Sequence, residues 1–428
     1  MCVFAQSPAD SLGTVPMSLE KCIEIALSEN PTVKVAEMEI TRVDYSKKEV
    51  IGQLFPNIAF SAQYSRALAL QTMYMQMGEE TVGVKMGRDN TATAGFTASM
   101  PVVAVQLWKS LKLSDAQIAQ NIEAARSSRV NLVNMVKNAY YALLLANDSY
   151  KALLENHSMA QLTADVYQKK FEMGTASEFE VLRSSVAVKN IEPSILEAEN
   201  TIKKLHLNLK VLMGIDIDTP ITVAGELNDY RETLYEDILA IDTNISDNPD
   251  LRALDLQTDY LKKALDVQKA AWWPTLSLSY NYTWNGMNNG APFKNMPWSS
   301  SSALALSLNF PLFQGGQRYY RIKQAEVSVN EMGLQRSYLE NSLRSEVKVQ
   351  IDILQKAARQ IDVSALGVEQ AQKANKIQEE AFRIGSGTFL DLRDSEIAVM
   401  TAKLSYFQAI HAYLAAKADL EKLLGKEK

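Results

Sequence analysis

Residues 382–399 carry the sequence FRIGSGTFLDLRDSEIAV, and residues 171–188 carry the related sequence FEMGTASEFEVLRSSVAV. Each begins with phenylalanine, continues into a glycine-containing turn and then enters a helical pattern, with equivalent positions 211 residues apart. Three further matches occur in the same order: ENP at 29–31 with DNP at 247–249, FPNIAFSAQYS at 55–65 with WPTLSLSYNYT at 273–283, and FTASMPVV at 96–103 with LSLNFPLF at 306–313. The chain is therefore predicted to contain two copies of one structural unit.

Each copy contains two segments in which apolar and small polar residues alternate with a period of two, as in β-strands. These predicted strands are residues 57–66, 91–100, 275–284 and 302–310. One face is apolar and aromatic, and the other is rich in Ser, Thr, Ala and Asn, which is typical of strands in a transmembrane barrel. A sheet of a soluble β-sandwich is the alternative, but the sequence offers no second sheet to cover the apolar face.

Helical segments flank these strands. Ser18 is predicted to cap a helix that Pro31 divides and Pro56 ends. After the strands, residues 103–172 and 317–384 are free of proline and are predicted to be single helices. Because a helix rises about 1.5 Å per residue, 70 residues span roughly 105 Å.

The turns at 173–176 and 385–387 lead into predicted helices over 177–212 and 388–424, the first with a kink expected at Pro193. An apolar stripe on the last helix predicts a packed face: Tyr406, Ala409, Tyr413, Ala416, Leu420 and Leu423. The shorter helices are predicted to stack end to end in two pairs beside the long ones: 29–55 with 177–212, and 247–272 with 388–424.

The predicted organisation is a first repeat over 17–212, a linker over 213–245 and a second repeat over 246–425. Residues 1–16 contain VFAQ, which resembles the end of a secretory signal, and are predicted to be an export-signal remnant or N-terminal extension. Lipidation of Cys2 is the alternative interpretation of this segment.

Composition excludes several functions. The net charge of −6 argues against nucleic-acid binding. Two cysteines, three scattered histidines and the lack of nucleotide-binding or hydrolase motifs predict no enzyme activity, no catalytic residue, no cofactor and no metal site. Met73, Met75 and Met77 could bind a soft metal such as Cu(I), although three methionines in a loop are more often incidental.

Four strands cannot close a barrel, and unpaired strand edges are not tolerated in lipid. Closure must then come from further copies of the chain. Two copies would supply eight strands, and three copies would supply twelve, wide enough for a channel. The residues alone leave the copy number open.

The order of these segments resembles that of the TolC family of outer-membrane efflux proteins. The resemblance extends from about residue 17 to residue 425, and it is carried by NPTVKVAEMEI, MPVV, FPLFQGGQ and the two turn segments. It implies a homotrimer in the outer membrane of a Gram-negative bacterium, with a twelve-stranded β-barrel in the lipid and a twelve-helix α-barrel tunnel in the periplasm. It also implies a periplasmic adaptor protein and an inner-membrane transporter of the RND or ABC type as partners.

The resemblance further places both turns at the periplasmic end of the tunnel. It implies that Asp391 and Asp394 form a ring of acids at the narrowest point, which would favour cations. Acids favoured by the helix dipole at a first turn are the alternative. The candidates for the turn and for adaptor contact are Gly174, Glu180, Arg183, Phe382, Gly385 and Gly387.

The equivalents of Asp391 and Asp394 in the first repeat are Glu180 and Arg183, so only one acid is shared and the second repeat is expected to face the lumen. The sequence also departs from its relatives, which often hold the tip closed with a tyrosine and an arginine where Phe382 and Gly387 stand. Any latch must then use other partners, with Glu180 or Arg183 as candidates.

The leading functional prediction is a passive exit duct of a tripartite efflux system. The duct of a type I protein secretion system is an alternative within the same fold. A soluble coiled-coil scaffold is an alternative of another class, and it would leave the four amphipathic strands without a purpose.

Overall fold

The computed structural model describes residues 15–78, 80–233 and 243–427. The first repeat comprises β1 (Val15–Met17), α1 (Leu19–Glu29), α2 (Pro31–Gly52), β2 (Asn57–Arg66), β3 (Gln71–Met77), β4 (Glu80–Met86), β5 (Asn90–Val103), α3 (Val105–Glu172), α4 (Glu178–Lys189) and α5 (Glu192–Met213). After it come β6 (Ile221–Val223), a 3-10 helix (Leu227–Thr233), α6 (Pro249–Ala270), β7 (Thr275–Asn288), β8 (Trp298–Asn309), α7 (Gln317–Arg383) and α8 (Phe389–Leu423). No helix within the described ranges combines the length and the apolar character that crossing a membrane requires.

Several predicted bounds need correction. The helix predicted over 177–212 is broken at Asn190 and Ile191, and Pro193 lies in the first turn of α5, where its missing N–H costs no helical hydrogen bond. Three strands are longer than predicted: β5 extends to Val103, β7 to Asn288, and β8 begins at Trp298. The segment between the strands predicted over 57–66 and 91–100 is not irregular throughout, because it contains the hairpin of β3 and β4.

The chain forms two compact units, and each draws segments from both repeats. The first unit contains residues 1–39, 122–254 and 335–428, and the second contains residues 40–121 and 255–334. The two predicted repeats therefore follow one another along the chain, but they do not correspond to the two compact units. The linker predicted over 213–245 stays a prediction. Of the expected export-signal remnant, residues 1–14, including Cys2, lie outside the described residues, and Val15 and Pro16 belong to β1.

The second unit is organised around an antiparallel sheet with the strand order β2–β5–β7–β8. The register aligns Phe60 with Phe96 and Phe96 with Tyr282, so aromatic residues of three strands share one face. The rings of Phe60 and Phe96 lie 5.0 Å apart between centroids. The central pair, β5 and β7, joins the two repeats, and β2 and β8 are left as edge strands.

A buried asparagine network fixes one end of this sheet. Asn90 is fully buried, and its amide donates to Asn288 Oδ1 at 3.0 Å and to the Gly290 carbonyl at 2.9 Å. The Tyr64 hydroxyl donates to Asn90 Oδ1 at 2.7 Å. Because a buried amide needs partners for its donors and acceptor, this network holds the ends of β2, β5 and β7 in register.

The first unit contains the hydrophobic core. Parts of α1, α3, α5, α7 and α8 surround the parallel pair β1–β6, and Tyr140 donates its hydroxyl to backbone carbonyls beside both strands, those of Met17 and Ala224. The stripe predicted on the last helix is confirmed, because all six of its members are buried: Tyr406, Ala409, Tyr413, Ala416, Leu420 and Leu423.

The repeated NP motifs join helix ends in this unit. Asn30 caps α2 by accepting from the Thr32 N–H at 2.8 Å, and its amide donates to the Leu212 carbonyl at the end of α5 at 2.8 Å. Asn248 caps α6 in the same way, and it donates to the Leu423 carbonyl at 2.9 Å. Both contacts agree with the predicted end-to-end stacking of the shorter helices.

Candidate functional site

The two helix turns, at residues 173–177 and 384–388, share one backbone design. Gly174 and Gly385 have φ angles of 72° and 80°, and their N–H groups donate to the carbonyls of Phe171 and Phe382. Glycine is favoured here because a side chain is strained at these φ angles. The turns are therefore equivalent in structure as well as in sequence.

The first turn begins α4 with a capping box. The Ser177 hydroxyl accepts from the Glu180 N–H at 3.3 Å, and the Glu180 carboxylate accepts from the Ser177 N–H at 2.7 Å. The hydrogen bond from the Ser177 backbone, followed by that from its hydroxyl, lowers the pKa of Glu180. Glu180 thus has a structural role within its own helix.

The second turn begins α8 in a similar way. The Asp391 N–H donates to Thr388 Oγ1 at 3.2 Å, and the Thr388 hydroxyl donates to Asp391 Oδ2 at 2.6 Å. Asp391 is exposed and retains a second carboxylate oxygen. The interpretation of Asp391 as an acid at a helix start therefore accounts for its hydrogen bonds with Thr388, but it does not account for the second, exposed carboxylate oxygen.

Asp394 differs from Asp391 in this respect. Its side chain is exposed and makes no hydrogen bond or ion pair with any residue in the described part of the chain. Residues three apart on a helix lie on the same face, so the two carboxylates are neighbours. The chain thus presents a pair of exposed acids just after a glycine turn.

An aromatic and cationic cluster joins the two turns, and we call it the tip cluster: Tyr167, Lys170, Arg183, Phe382 and Phe389. Tyr167 is buried at 6% exposure, with ring centroids 5.8 Å from Phe382 and 5.5 Å from Phe389. Lys170 Nζ lies 5.1 Å from the Phe382 ring, and the Arg183 guanidinium lies 5.2 Å from the Phe389 ring. Burial raises the pKa of the Tyr167 phenol, so this ring stays neutral.

The tip cluster includes Phe382, one of the two positions at which the sequence departs from the expected family pattern. Phe382, which has no hydroxyl, contacts Tyr167 from the other repeat. The Gly387 N–H donates to the Ala381 carbonyl at 2.9 Å, and a Cβ at residue 387 would lie 3.0 Å from the Phe382 nitrogen. A longer side chain at position 387 is therefore opposed by the tightness of the turn.

A second polar cluster ties α8 to α3 beyond the turn. Arg393 Nη1 donates at 3.0 Å both to Glu396 Oε2 and to Asn156 Oδ1. Glu396 is 7% exposed, and its burial raises its pKa against the opposing effect of Arg393. This group was not predicted, although the three-residue spacing of Arg393 and Glu396 on one helix face is a sequence signal for an ion pair.

The structure therefore places all eight predicted site residues in the two turns or in the helix ends beside them, within the first unit, and their roles differ. Gly174, Gly385 and Gly387 shape the backbone, and Glu180 caps a helix. Phe382 and Arg183 join the tip cluster. The acids Asp391 and Asp394 complete the predicted set, and no cluster of His, Cys, Asp and Glu in the described residues could hold a metal.

The fold is that of the outer-membrane channels. It matches the crystal structure of the Campylobacter jejuni CmeC outer membrane channel with a TM-score of 0.78, covering 95% of this chain and 85% of CmeC at 17% sequence identity.

The chain belongs to the outer membrane efflux protein family, whose sequence model matches residues 22–215 and 240–426. Among curated relatives, CyaE of Bordetella pertussis is 24% identical over 75% of this chain, and the match spans 65% of CyaE's own length. The outer membrane protein TolC of Vibrio cholerae is 21% identical, with 81% of each chain covered.

These matches confirm the resemblance to the TolC family, the fold class of mainly helices with strands in two repeats, and the placement at the outer membrane. The family model matches the two halves of the chain separately, in agreement with the internal repeat. The family and its solved neighbours are transport channels.

Proposed function

We propose that this protein is a trimeric outer-membrane channel and serves as the passive exit duct of a tripartite efflux system. A periplasmic adaptor and an inner-membrane transporter of the RND or ABC type would deliver the substrate and supply the energy. The observation that carries the proposal is the four-stranded sheet, whose two edge strands are unpaired in one chain and whose apolar residues are exposed.

The edge strands require partners. Along β2 and β8 all residues are exposed, and the described residues place no further strand beside either one. Because unpaired N–H and C=O groups are costly in lipid, each edge must pair with another strand there. In a ring of identical chains, β8 of one copy pairs with β2 of the next, and the sheet closes into a barrel.

The faces of the sheet favour three copies. Leucines of β8 and aromatic residues of β2 are exposed, including Leu304 at 71%, Leu306 at 65% and Phe60 at 59%, as expected for a face that contacts lipid. The opposite face carries Ser, Thr and Ala, which suit a water-filled lumen. Eight strands would be filled by side chains, whereas twelve leave a channel.

The copy number is tested by native mass spectrometry of the protein purified in detergent. We expect the mass of three chains, and dilution should not yield a folded single chain because the edges would reopen. A monomer that remains soluble without detergent would contradict the proposal and favour the soluble scaffold.

Within this channel, we propose that Asp391 and Asp394 of three copies surround the periplasmic aperture. Six carboxylates on one axis would attract cations and repel anions, because a narrow opening focuses their field. The exposed and unpaired state of Asp394 supports this role more strongly than the capped state of Asp391.

The tip cluster is proposed as the intrachain contact that keeps the aperture closed. Its ring and cation contacts connect α3 and α4 of the first repeat with α7 and α8 of the second, so the two turns cannot separate without breaking them. Cation–π contacts tolerate the salt of the periplasm better than exposed ion pairs do, because part of their strength is ring packing.

The Phe389→Leu variant should loosen the tip. It keeps an apolar side chain but removes one edge-to-face ring contact and the surface on which Arg183 rests, a loss of about 1–2 kcal/mol. Hydrogen exchange of the backbone N–H groups of residues 382–392 should then become about tenfold faster, since 1.4 kcal/mol corresponds to one decade.

The matched control is Phe179→Leu, the same chemical change at an aromatic side chain of α4 that is 69% exposed. Exchange in residues 382–392 should be unchanged in this control. Equal exchange in Phe389→Leu and the wild type would remove the tip cluster from the closing mechanism.

A further inference from the structure

The helix α8 is held to its neighbours in two different ways along its length. Over residues 406–423 its buried face belongs to the hydrophobic core of the first unit. Over residues 389–405, in contrast, its buried residues are Leu392 and Glu396. The part of α8 that carries the two turn acids therefore has little buried apolar surface to hold it in place.

A buried ionic cluster attaches this part of α8 to α3, and we call it the α8 joint: Arg393, Glu396 and Asn156. Arg393 Nη1 donates to both partners at 3.0 Å, so one guanidinium connects the two helices. The side chains of Arg393 and Glu396 are 13% and 6% exposed, and Asn156 is buried. A neighbouring contact joins α8 to α7, because the Ser395 hydroxyl donates to Asn375 Oδ1 at 2.8 Å. Polar groups shielded from water thus bind α8 to both adjacent helices.

A cavity of about 330 Å³ lies beside the α8 joint, between α3, α7 and α8. Carboxylates of all three helices line it, namely those of Glu155, Glu379 and Glu396. Close-packed interiors leave side chains no room to move. The cavity therefore allows the first turns of α8 to shift relative to α3 without a steric clash.

The negative charge on Glu396 is costly at this position. Burial has the largest effect and raises the pKa of the carboxyl group, the ion pair with Arg393 opposes the increase, and Glu379 on α7 adds to it. A buried ion pair often fails to recover the hydration that its two ions lose. The joint is therefore more stable when Glu396 is neutral, and the carbonyl oxygen of the neutral group can still accept from Arg393.

The other charged groups around the cavity leave this sign unchanged. On α3 the Glu155 carboxylate accepts from Lys403 of α8, so these two charges compensate each other. Lys376 of α7 is exposed, and water and salt screen its effect on a buried carboxylate. Glu396 is thus the titratable group through which pH acts on the α8 joint.

We propose that the α8 joint is a proton-controlled closure of the aperture, in which protonation of Glu396 holds the first turns of α8 against α3 and its ionisation loosens them. The inference rests on the proposed function, because Asp391 and Asp394 lie on these turns and move with them. By linkage, the attachment is strongest below the ordinary pKa of a glutamate and weakens as the pH rises through the raised pKa of Glu396. The aperture therefore narrows when its surroundings become acidic.

Backbone hydrogen exchange of residues 389–400 tests the joint in the purified full-length protein in detergent. Exchange is measured at about pH 5 and at about pH 8, and each rate is divided by the intrinsic rate at that pH. We expect slower exchange at the lower pH in the wild type. In Glu396→Gln, which imitates the neutral carboxyl group, this pH dependence should be lost and exchange should be slow at both pH values. Equal pH dependence in the two proteins, or none in the wild type, would overturn the proposal.

The matched control is Glu24→Gln on α1. Lys21 donates to Glu24 at 2.7 Å with the same three-residue spacing as the pair in the α8 joint, but both side chains are exposed. This variant should keep the pH dependence of the wild type in residues 389–400. Loss of that dependence in the control would show that Glu396 is not its specific origin and would also overturn the proposal.

Single-channel recording in a planar lipid bilayer tests the consequence for the aperture. The wild type and Glu396→Gln are compared at one pH, about pH 8, so that the other groups titrate alike in both proteins. Current steps of Glu396→Gln should be smaller or shorter than those of the wild type. Equal steps would overturn the inference and leave the proposed function in place, whereas the absence of steps in both proteins would contradict the proposed function itself.

Discussion

We expect the Gly425→Ala variant to be destabilised by about 2–4 kcal/mol, the sum of backbone strain and overpacking. Gly425 has a φ angle of 72°, and a Cβ built there would lie 2.1 Å from the Asp247 carbonyl oxygen. That atom belongs to the backbone, so the close approach cannot be relieved by rotating a side chain.

The surroundings of Gly425 leave little room for adjustment. Arg126 donates to both the Asp247 and the Gly425 carbonyls, at 3.0 and 2.9 Å, and forms an ion pair with Glu123 at 2.7 Å. Moving the backbone at Gly425 would disturb these bonds and the joint between Asn248 and the end of α8. The loss of stability should therefore affect the first unit as a whole.

The measurement is thermal unfolding in detergent, followed by circular dichroism. The control is Gly367→Ala inside α7, where a Cβ would meet nothing within 4 Å. Alanine should stabilise the helix by about 1 kcal/mol relative to glycine at such a position. The control should melt at or above the melting temperature of the wild type. Equal melting temperatures of Gly425→Ala and the wild type would contradict the close packing of Gly425 against Asp247.

We expect the second large effect from Asp391→Asn combined with Asp394→Asn. Asparagine is chosen because its amide oxygen can still accept from the Thr388 hydroxyl, so the start of α8 is preserved. In three copies the change removes six negative charges from one axis. Cation selectivity should fall, and block by multivalent cations should weaken by about tenfold or more.

The comparison requires a variant with the same change in charge elsewhere. Asp216→Asn with Asp218→Asn removes two exposed acids from the loop after α5, outside both turns. This control should keep wild-type selectivity and block. Unchanged behaviour of the Asp391 and Asp394 variant would limit these acids to the start of the helix.

Much of the covalent order was predictable because long elements carry long patterns. The strand predicted over 57–66 is β2 over the same residues, and the proline-free segments became α3 and α7 within about two residues at each end. The NP motifs marked equivalent positions of the two repeats, whereas their contacts with the ends of α5 and α8 came only from the structure. Each of these features depends on sequence that is local to one element.

The missed features depend on distance in the sequence or on weak local signals. β1 and β6 have three residues each, too few for a period, and pair across the chain. β8 begins with Trp298 and a run of serines that shows no alternation. In the hairpin, the sequence QTMYMQM alternates, but its alternating residues are methionines, which indicate a strand less strongly than β-branched residues do.

The two turns of the candidate site were predictable from the sequence, whereas the contacts between its side chains were less predictable. Glycines and first-turn acids are local signals, so Gly174, Gly385 and Asp391 were found. Tyr167 lies within a 68-residue helix, and only the packing of α3 beside the second turn gives it a role. The same reason explains why Asn156 was not linked to Arg393.

Single-channel recording of the purified wild-type protein in a planar lipid bilayer tests most directly whether this chain forms a channel. We expect discrete current steps of uniform size that are cation-selective and are reduced by multivalent cations added on the side of the helix turns. Folded protein that associates with the bilayer and yet gives no steps would contradict it.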